Sequence, residues 1–272
     1  MIKLPKIIYG TAWKEEKTED LVSTAIKIGF RAIDTANQRR HYHEAAVGEA
    51  ISKALAKGIN REEIFIQTKF TPLDGQDHRL PYDANADCAT QLRQSFQSSL
   101  GHLRVNHIDS YVLHGPYVPI GLSEEDWLVW KEMETIQQEG KITYLGISNV
   151  SIDQLRLLYE GAIIKPAFVQ NRCYAQLGWD KVVRGYCKEK NIIYQGFSLL
   201  TANPLVLSRL SNLAKTLDKT PAQIIFRFSQ HVGMIPLTGA TNKAHMREDL
   251  SLNFDLEDED ITFIEKILQN EN

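Results

Sequence analysis

Residues 30–48 read FRAIDTANQRRHYHEAAVG, and this stretch decides the fold of the chain. Its first part, residues 30–35, is typical of a short buried strand. Its last part opens an amphipathic helix, because apolar residues recur at helical spacing from Val47 onward. The polar loop between them carries Asp34 at the carboxyl end of the strand and Tyr42 just before the helix. An acid and a phenol at such a strand–loop–helix junction indicate a proton-transfer site.

The length and composition bound the possible classes of protein. The chain has 272 residues, of which 43% are hydrophobic, so it can bury one large core. That length suits one α/β barrel or one large doubly wound domain. A net charge of −3 gives no long-range attraction to nucleic acid or to an anionic membrane, so we expect neither as a partner.

Cysteine usage and the N-terminus indicate the cellular compartment. Cys88, Cys173 and Cys187 show no CxxC spacing, so we expect no disulfide framework and a reducing environment. The opening MIKLPKIIYG lacks the apolar run of a signal peptide. No stretch approaches the roughly 20 apolar residues that cross a bilayer. We therefore expect a cytoplasmic protein.

Short apolar runs alternate with longer helical patterns along the whole chain. The predicted strands lie at residues 6–10, 30–34, 64–68, 108–113, 142–147, 167–170, 192–196 and 234–236. The predicted helices cover about 18–28, 44–57, 87–103, 124–138, 151–159, 181–190, 204–217, a segment that begins at Thr220-Pro221, and 261–268. Eight strand–helix pairs are typical of a (β/α)₈ TIM barrel. Because no G-x-G-x-x-G and no linker occur, we predict one barrel domain over residues 1–272.

Polar residues at the carboxyl ends of the predicted strands form the most informative group. They are Asp34, Lys69, His114, Asn149, Gln170, Ser198 and Thr238. In a barrel these positions converge on one mouth, where active sites are built. The longest irregular insert, residues 71–86, leaves the third strand at the same end.

Eight motifs in this chain resemble those of the aldo-keto reductase family and follow the family's order. They are IYGTAW, FRAIDTA with HYHEAAVGEAI, FIQTKF, YVLHGP, YLGISN, FVQNRCY, YQGFSLL and IPLTGATNKAHMRED. The resemblance implies a barrel that reduces aldehydes or ketones with a nicotinamide cofactor. The family's catalytic Asp, Tyr, Lys and His match Asp34, Tyr42, Lys69 and His114.

The chemistry explains why these four residue types belong together. Hydride transfer to a carbonyl carbon leaves an alkoxide that must be protonated. We assign Tyr42 as the general acid, and we expect Lys69 to lower its pKa from about 10. Asp34 would hold Lys69 in place, and His114 would orient the carbonyl and donate a hydrogen bond to its oxygen.

The loop before the predicted helix that begins at Glu44 departs from the usual spacing of the family. Tyr42 lies eight residues after Asp34 and two before Glu44, and aligning on Glu44 places His41 at the tyrosine position. HYHE resembles the HYNE variant of a family subgroup, so we favour Tyr42, with His41 as the alternative proton donor. His41 and His43 also form an H-x-H pair, but without a third ligand we expect no metal.

The resemblance also implies a cofactor site along the barrel mouth. Its residues are Thr11, Ser148, Asn149, Gln170, Phe197, Ser198, Leu199, Thr201, Thr238, Gly239, Thr241, Lys243 and Arg247. Ser148, Asn149 and Gln170 match the residues that hold the nicotinamide carboxamide, and Phe197 matches an aromatic that stacks on the nicotinamide ring.

Apart from Thr11, the other residues of the implied cofactor site match phosphate-binding positions. Residues 198–201 correspond to the pyrophosphate loop, and residues 238–241 correspond to the adenosine phosphate site at a helix N-terminus. Lys243, His245 and Arg247 are candidates for a 2′-phosphate, so we favour NADPH over NADH. A solvated, charged helix face is the simpler interpretation of these three residues.

The expected substrate is a small carbonyl compound, and we expect a monomer. Trp13 and Tyr117 would line its pocket, which Gly115 opens because the family has a tryptophan there. Two other functions fit the sequence. One is a cofactor-binding barrel with a sensory or structural role, and the other is an isomerase or aldolase with Lys69 as a Schiff-base nucleophile.

Overall fold

The computed structural model describes residues 4–269, and in it eight parallel strands close into a barrel. The strands are Ile8–Gly10 (β1), Ala32–Asp34 (β2), Phe65–Phe70 (β3), Ile108–Leu113 (β4), Ile142–Ser148 (β5), Phe168–Arg172 (β6), Ile193–Phe197 (β7) and Met234–Thr238 (β8). Each strand pairs with the next, and β8 pairs with β1 to complete the ring. The predicted (β/α)₈ fold is confirmed.

Helices surround this barrel in the order that the sequence predicts. They are Thr18–Ile28 (α1), Glu44–Leu55 (α2), Cys88–Leu103 (α3), Glu124–Gln138 (α4), Ile152–Gly161 (α5), Lys181–Lys190 (α6), Pro204–Arg209 (α7), Ser211–Thr216 (α8), Pro221–His231 (α9), Lys243–Leu250 (α10) and Asp258–Lys266 (α11). Single 3₁₀ turns lie at Glu15–Lys17, Arg61–Glu63, Leu73–Gly75 and Ala175–Leu177. Ser151 and Thr220 cap the N-termini of α5 and α9, because each side chain accepts a hydrogen bond from the third residue of the helix that follows.

The prediction of one helix over residues 204–217 is wrong. Two short helices, α7 and α8, occupy this segment, and Leu210 lies between them outside either helix. Val206, Leu210 and Ala214 are all buried and follow one another at a spacing of four residues. That spacing is typical of a continuous helix, and the buried face continues through the interruption.

Strand β3 shows how the core is divided into two layers. Phe65 lies in the barrel interior with Ile8 and Phe168, whereas Ile66 and Phe70 belong to the larger core between the sheet and the helices. This alternation follows from the two-residue period of a strand. Because every residue of β3 is buried, its polar side chains need partners within the protein, and those that face inward find them inside the barrel.

A layer of polar side chains supplies those partners in the middle of the barrel. The Nε2 atom of Gln67 donates to Asp34 Oδ1 and to Gln195 Oε1, both at 2.8 Å. The Nε2 atom of Gln170 donates to Asp34 Oδ1 at 3.0 Å and to Gln195 Oε1 at 2.9 Å. Ser110 Oγ donates to Gln67 Oε1 at 2.9 Å. Such a connected buried network fixes the rotamers of its members.

Helices α2 and α3 touch closely through Gly48. A Cβ atom at this position would overlap the carbonyl oxygen of His102 and lie 2.8 Å from the Cα atom of Leu103. We expect Gly48→Ala to lower the free energy of unfolding by more than about 1 kcal/mol, because the obstructing atoms belong to the backbone. Chemical denaturation measures this change. Gly101→Ala is the matched control, since nothing lies within 4 Å of its Cβ, and it should be neutral or mildly stabilising.

The same pair of helices is joined by His102 and Glu44, with 2.9 Å between Nδ1 and Oε2. The hydrogen bond and the charge of Glu44 raise the pKa of His102 above its ordinary value, against the opposing effect of burial. The bond to protonated His102 therefore stabilises the fold fully below about pH 6.5, the ordinary histidine pKa, and this contribution is lost as pH rises through the raised pKa. We expect the difference in melting temperature between wild type and His102→Gln to shrink above neutral pH. A difference that stays constant from acidic to alkaline pH would contradict this expectation.

Candidate active site

A buried ion pair lies at the carboxyl end of β2 and β3. Lys69 Nζ is 2.7 Å from both carboxylate oxygens of Asp34 and donates a further hydrogen bond to the Thr35 carbonyl at 2.8 Å. The Lys69 side chain is fully buried, and burial lowers its pKa, while the charge of Asp34 acts in the opposite direction. The structure therefore brings together the first two residues that the sequence assigned to catalysis.

Hydrogen bonds from the polar layer of the barrel fix the position of Asp34. Its Oδ1 atom accepts hydrogen bonds from Gln67 and Gln170 in addition to the contact with Lys69. Three hydrogen-bond donors on one carboxylate fix its position. Thr11 contributes to the same wall, because its hydroxyl donates to the Asp34 backbone carbonyl at 2.9 Å.

Tyr42 lies above this ion pair, with its aromatic ring close to both Lys69 and His114. Lys69 Nζ is 5.3 Å from the centroid of the Tyr42 ring, and the rings of Tyr42 and His114 are 6.0 Å apart. The pKa of Tyr42 is raised, first because the phenol loses hydration and second because Asp34 opposes another negative charge. The phenol is therefore protonated at neutral pH, which is the state that a proton donor needs.

The expected lowering of the Tyr42 pKa by Lys69 is not what the structure shows. Arg172, at the end of β6, supplies the positive charge that lowers the pKa of Tyr42. The charge of Lys69 has no such effect, because Asp34 compensates it. Arg172 is exposed, and its guanidinium stacks 5.2 Å from the centroid of the Phe197 ring. The sequence analysis missed Arg172, although FVQNRCY places it at the end of a strand beside Gln170.

His114 follows β4 and is held on three sides. Its backbone N–H donates to the Phe70 carbonyl at 2.9 Å, and its carbonyl accepts from Asn149 Nδ2 at 2.8 Å. Its Nδ1 atom is 2.6 Å from Thr71 Oγ1. Burial, together with the charges of Lys69 and His41, lowers the pKa of His114 to about 3. The imidazole is therefore neutral at physiological pH.

A cavity of about 360 Å³ adjoins His114 and forms the candidate substrate pocket. It is lined by Gln38, His41, Thr71, Pro72, Leu73, Asp74, Gly75, His114, Gly115, Pro116, Tyr117 and Asn149. Tyr117 is part of this lining, whereas Trp13 is not. Trp13 is 70% exposed, and the centroid of its ring is 4.0 Å from that of His41. His41 therefore contacts Trp13 and the pocket, whereas Tyr42 contacts the ion pair, and this arrangement favours Tyr42 as the proton donor.

The residues expected to hold a nicotinamide lie side by side at the ends of β5, β6 and β7. Ser148 Oγ donates to the Gln170 backbone carbonyl at 2.6 Å, and Asn149 Nδ2 also contacts Ser148 Oγ at 3.2 Å. Phe197 is half-buried next to them. Amide and hydroxyl groups beside a partly exposed aromatic ring are the chemistry that a flat ring with a carboxamide requires, so these residues fit such a cofactor.

Two of these mouth residues adopt left-handed backbone conformations. Asn149 has φ 53° and Ser198 has φ 56°, directly after β5 and β7. Non-glycine residues in this region are uncommon and tend to mark functional loops. Leu199, which follows Ser198, is buried in the core, so only its backbone could face a phosphate.

A second cavity, of about 520 Å³, lies between the loops that follow β7 and β8. Thr201, Thr238, Gly239, Thr241 and His245 are among the residues that line it. Lys243 and Arg247 are exposed on α10 but are not part of its lining. The sequence analysis missed Lys14, whose buried ammonium donates to the Gly239 carbonyl at 2.8 Å beside this cavity. Burial lowers the Lys14 pKa to about 8.

Two structural features are absent from residues 4–269. In this part of the chain, no three His, Cys, Asp or Glu side chains come together in a group that could hold a metal ion. No helix in the same range combines the length and the apolar character needed to cross a membrane.

Comparison with known proteins agrees with this geometry. The model of the aldo/keto reductase family matches residues 6–269. The chain is 31% identical to the uncharacterized oxidoreductase YtbE of Bacillus subtilis, over 99% of this chain and 91% of the relative, and 30% identical to Protein REDOX 2 of Catharanthus roseus, over 98% and 87%. The crystal structure of MGS-M4, an aldo-keto reductase enzyme from a Medee basin deep-sea metagenome library, has a TM-score of 0.81 at 26% identity and covers 98% of this chain and 92% of its own. The chain therefore belongs to the aldo/keto reductase family, which uses nicotinamide cofactors on small carbonyl substrates.

Proposed function

We propose that this protein is an NADPH-dependent reductase of aldehydes or ketones, with Asp34, Tyr42, Lys69 and His114 as its catalytic residues. The observation that carries the proposal is the Asp34–Lys69 ion pair, which lies beneath Tyr42 and opposite a neutral His114 at one mouth of the barrel. Family membership supports an oxidoreductase activity.

Each catalytic residue has a distinct task in the reduction. The nicotinamide cofactor supplies the hydride when it is bound. His114, as a neutral imidazole, donates a hydrogen bond to the carbonyl oxygen and so fixes the orientation of the substrate. Tyr42 gives its phenolic proton to the oxygen as negative charge develops there. The guanidinium of Arg172 then stabilises the phenolate until solvent returns the proton.

The contacts of Lys69 argue against the Schiff-base alternative. All three of its ammonium hydrogens have acceptors, two on Asp34 and one on the Thr35 carbonyl. A nucleophilic amine must be neutral and free to reach the substrate. The intact set of four residues likewise favours turnover over a purely sensory or structural role.

The phosphate end of the cofactor is assigned to the second cavity. Thr241 offers a hydroxyl group there, and Lys14 adds a positive charge beside Gly239. The Thr238 hydroxyl already donates to Asp249 Oδ2 at 2.6 Å. Lys243 lies in the first turn of α10, next to Thr241, where its charge and the helix N-terminus both favour an anion. We propose that Lys243 and Arg247 face the 2′-phosphate and that NADPH is preferred to NADH.

The first test separates the two candidate proton donors. We expect Tyr42→Phe to lower kcat for a reactive aldehyde such as a nitrobenzaldehyde by roughly 10²–10⁴-fold, because it removes the proton donor. NADPH affinity, measured by fluorescence titration, should be nearly unchanged. His41→Gln should retain most of the turnover. If His41→Gln abolished turnover while Tyr42→Phe did not, the roles would be reversed. A wild-type protein that binds NADPH tightly but shows no turnover would favour the sensory or structural role.

The second test concerns the choice of cofactor. Lys243→Ala should weaken the binding of NADPH more than that of NADH, by roughly three- to tenfold, because only NADPH carries the 2′-phosphate and one partly exposed charge pair contributes about 1 kcal/mol. Titration of both cofactors measures this ratio. Lys188→Ala on α6 is the matched control, since it removes an exposed lysine far from this cavity. Equal losses for the two cofactors would place the 2′-phosphate elsewhere.

A further inference from the structure

We infer that Thr71 is a positioning residue for His114: its hydroxyl donates to Nδ1 and thereby places the imidazole proton on Nε2. The two atoms are 2.6 Å apart. The consequence for catalysis rests on the proposed function, in which His114 must donate a hydrogen bond to the carbonyl oxygen. The assignment of the tautomer rests on the contacts of Thr71 alone.

The direction of this hydrogen bond follows from the surroundings of Thr71. The residue is only 3% exposed, and among residues 4–269 its hydroxyl has no partner other than His114 Nδ1. If Nδ1 carried the proton and donated it, the hydroxyl hydrogen of Thr71 would be buried without an acceptor, which costs about 1–3 kcal/mol. If Thr71 donates instead, both groups are satisfied. The proton of a neutral imidazole then resides on Nε2.

The hydroxyl of Thr71 is aimed by the loop around it. The Thr71 carbonyl accepts hydrogen bonds from Tyr82 Oη at 2.9 Å and from Gln76 Nε2 at 3.2 Å, which fixes the backbone. A Cβ atom added at Gly75 would lie 2.6 Å from the Thr71 methyl group, so this methyl group packs directly over a glycine. With the backbone and the methyl group both held, the hydroxyl is left pointing to His114.

The consequence of this arrangement is a hydrogen-bond donor that faces the pocket. His114 lines the candidate substrate cavity, and none of residues 4–269 forms a hydrogen bond with its Nε2 atom. The lowered pKa of His114 keeps the ring neutral, so only one nitrogen carries a proton. If the proton is on Nε2, His114 can donate a hydrogen bond to a carbonyl oxygen. If the proton is on Nδ1, the lone pair of Nε2 repels that oxygen. Thr71 therefore makes the imidazole a donor before the substrate arrives.

Nitrogen-15 NMR of the histidine side chains tests the tautomer directly, because protonated and unprotonated ring nitrogens have well-separated shifts. We expect the wild-type His114 signals to show a proton on Nε2 and an unprotonated, hydrogen-bonded Nδ1. Thr71→Val, which keeps the shape but removes the hydroxyl, should shift the Nδ1 signal, and Thr71→Ser should restore it. A wild-type proton on Nδ1, or His114 signals unchanged in Thr71→Val, would overturn the inference.

Kinetics supply the second readout. Thr71→Val should lower kcat by about five- to tenfold with a smaller change in KM, because the bond to the carbonyl oxygen strengthens in the transition state. Thr71→Ser should recover most of the activity. The matched control is Thr143→Val, which breaks a similar threonine–histidine contact, 3.1 Å from Thr143 Oγ1 to His107 Nε2, away from the mouth and should leave kcat unchanged. Full activity in Thr71→Val would count against the inference.

The two readouts distinguish failure of this inference from failure of the proposed function. If the wild-type protein reduced no aldehyde, the reductase proposal would fail while the NMR spectra still decided the role of Thr71. If Thr71→Val does not fold, the wild-type spectrum alone shows which nitrogen carries the proton. Gly75→Ala then serves as the second variant, because it keeps the hydroxyl but displaces the methyl group, and it should also shift the Nδ1 signal.

Discussion

The structure depends on a buried ion pair whose members come from neighbouring strands. Taking an ammonium and a carboxylate out of water costs several kcal/mol for each ion, and their attraction repays this only with excellent geometry and additional hydrogen bonds. Lys69 and Asp34 meet both conditions, through two contacts of 2.7 Å and further partners at Thr35, Gln67 and Gln170. The barrel provides this arrangement, because Asp34 pairs in register with Gln67 and Lys69 is the next residue of β3 that faces the interior.

The polar layer below the ion pair makes the site rigid. Gln67 and Gln170 each donate to Asp34 and to Gln195, and Gln195 donates back to Gln67, so a shift of any one side chain would break several bonds. Glutamine in a barrel interior is otherwise unfavourable, since each amide needs two donors and two acceptors satisfied. This explains why buried amides occur in β3, β6 and β7, where they bond to one another or to the Asp34 carboxylate. Gln170 therefore belongs both to this support and to the proposed nicotinamide site.

Much of the fold could be predicted from the sequence, because amphipathic and alternating patterns are local. The bounds of α1, α4 and α6 agree with the predicted helices, and all eight strands lie within a few residues of their predicted positions. The break at Leu210 could not be predicted, since the apolar spacing runs through it without interruption. The site was predicted only as a set of strand-end residues. Contacts that link distant parts of the chain were missed, such as Lys14 with Gly239 and Thr71 with His114.

The direction of the Tyr42 pKa shift was missed for a related reason. A lysine that is expected to lie beside a tyrosine predicts a lowered tyrosine pKa. The effect depends on whether the lysine charge is already compensated. Here Asp34 compensates it, and Asp34 itself opposes ionisation of the phenol, so the isolated site keeps Tyr42 protonated.

This protonation state is also the one that reduction requires. The site holds a neutral His114 and a protonated Tyr42 near each other, and in the proposed reduction these two hydrogen-bond donors would meet at the carbonyl oxygen. Negative charge would develop there only as hydride is transferred, and the Arg172 guanidinium is already in place to stabilise it. Stabilisation that is held for the charged transition state, rather than for the neutral carbonyl, accelerates the chemical step instead of merely tightening binding.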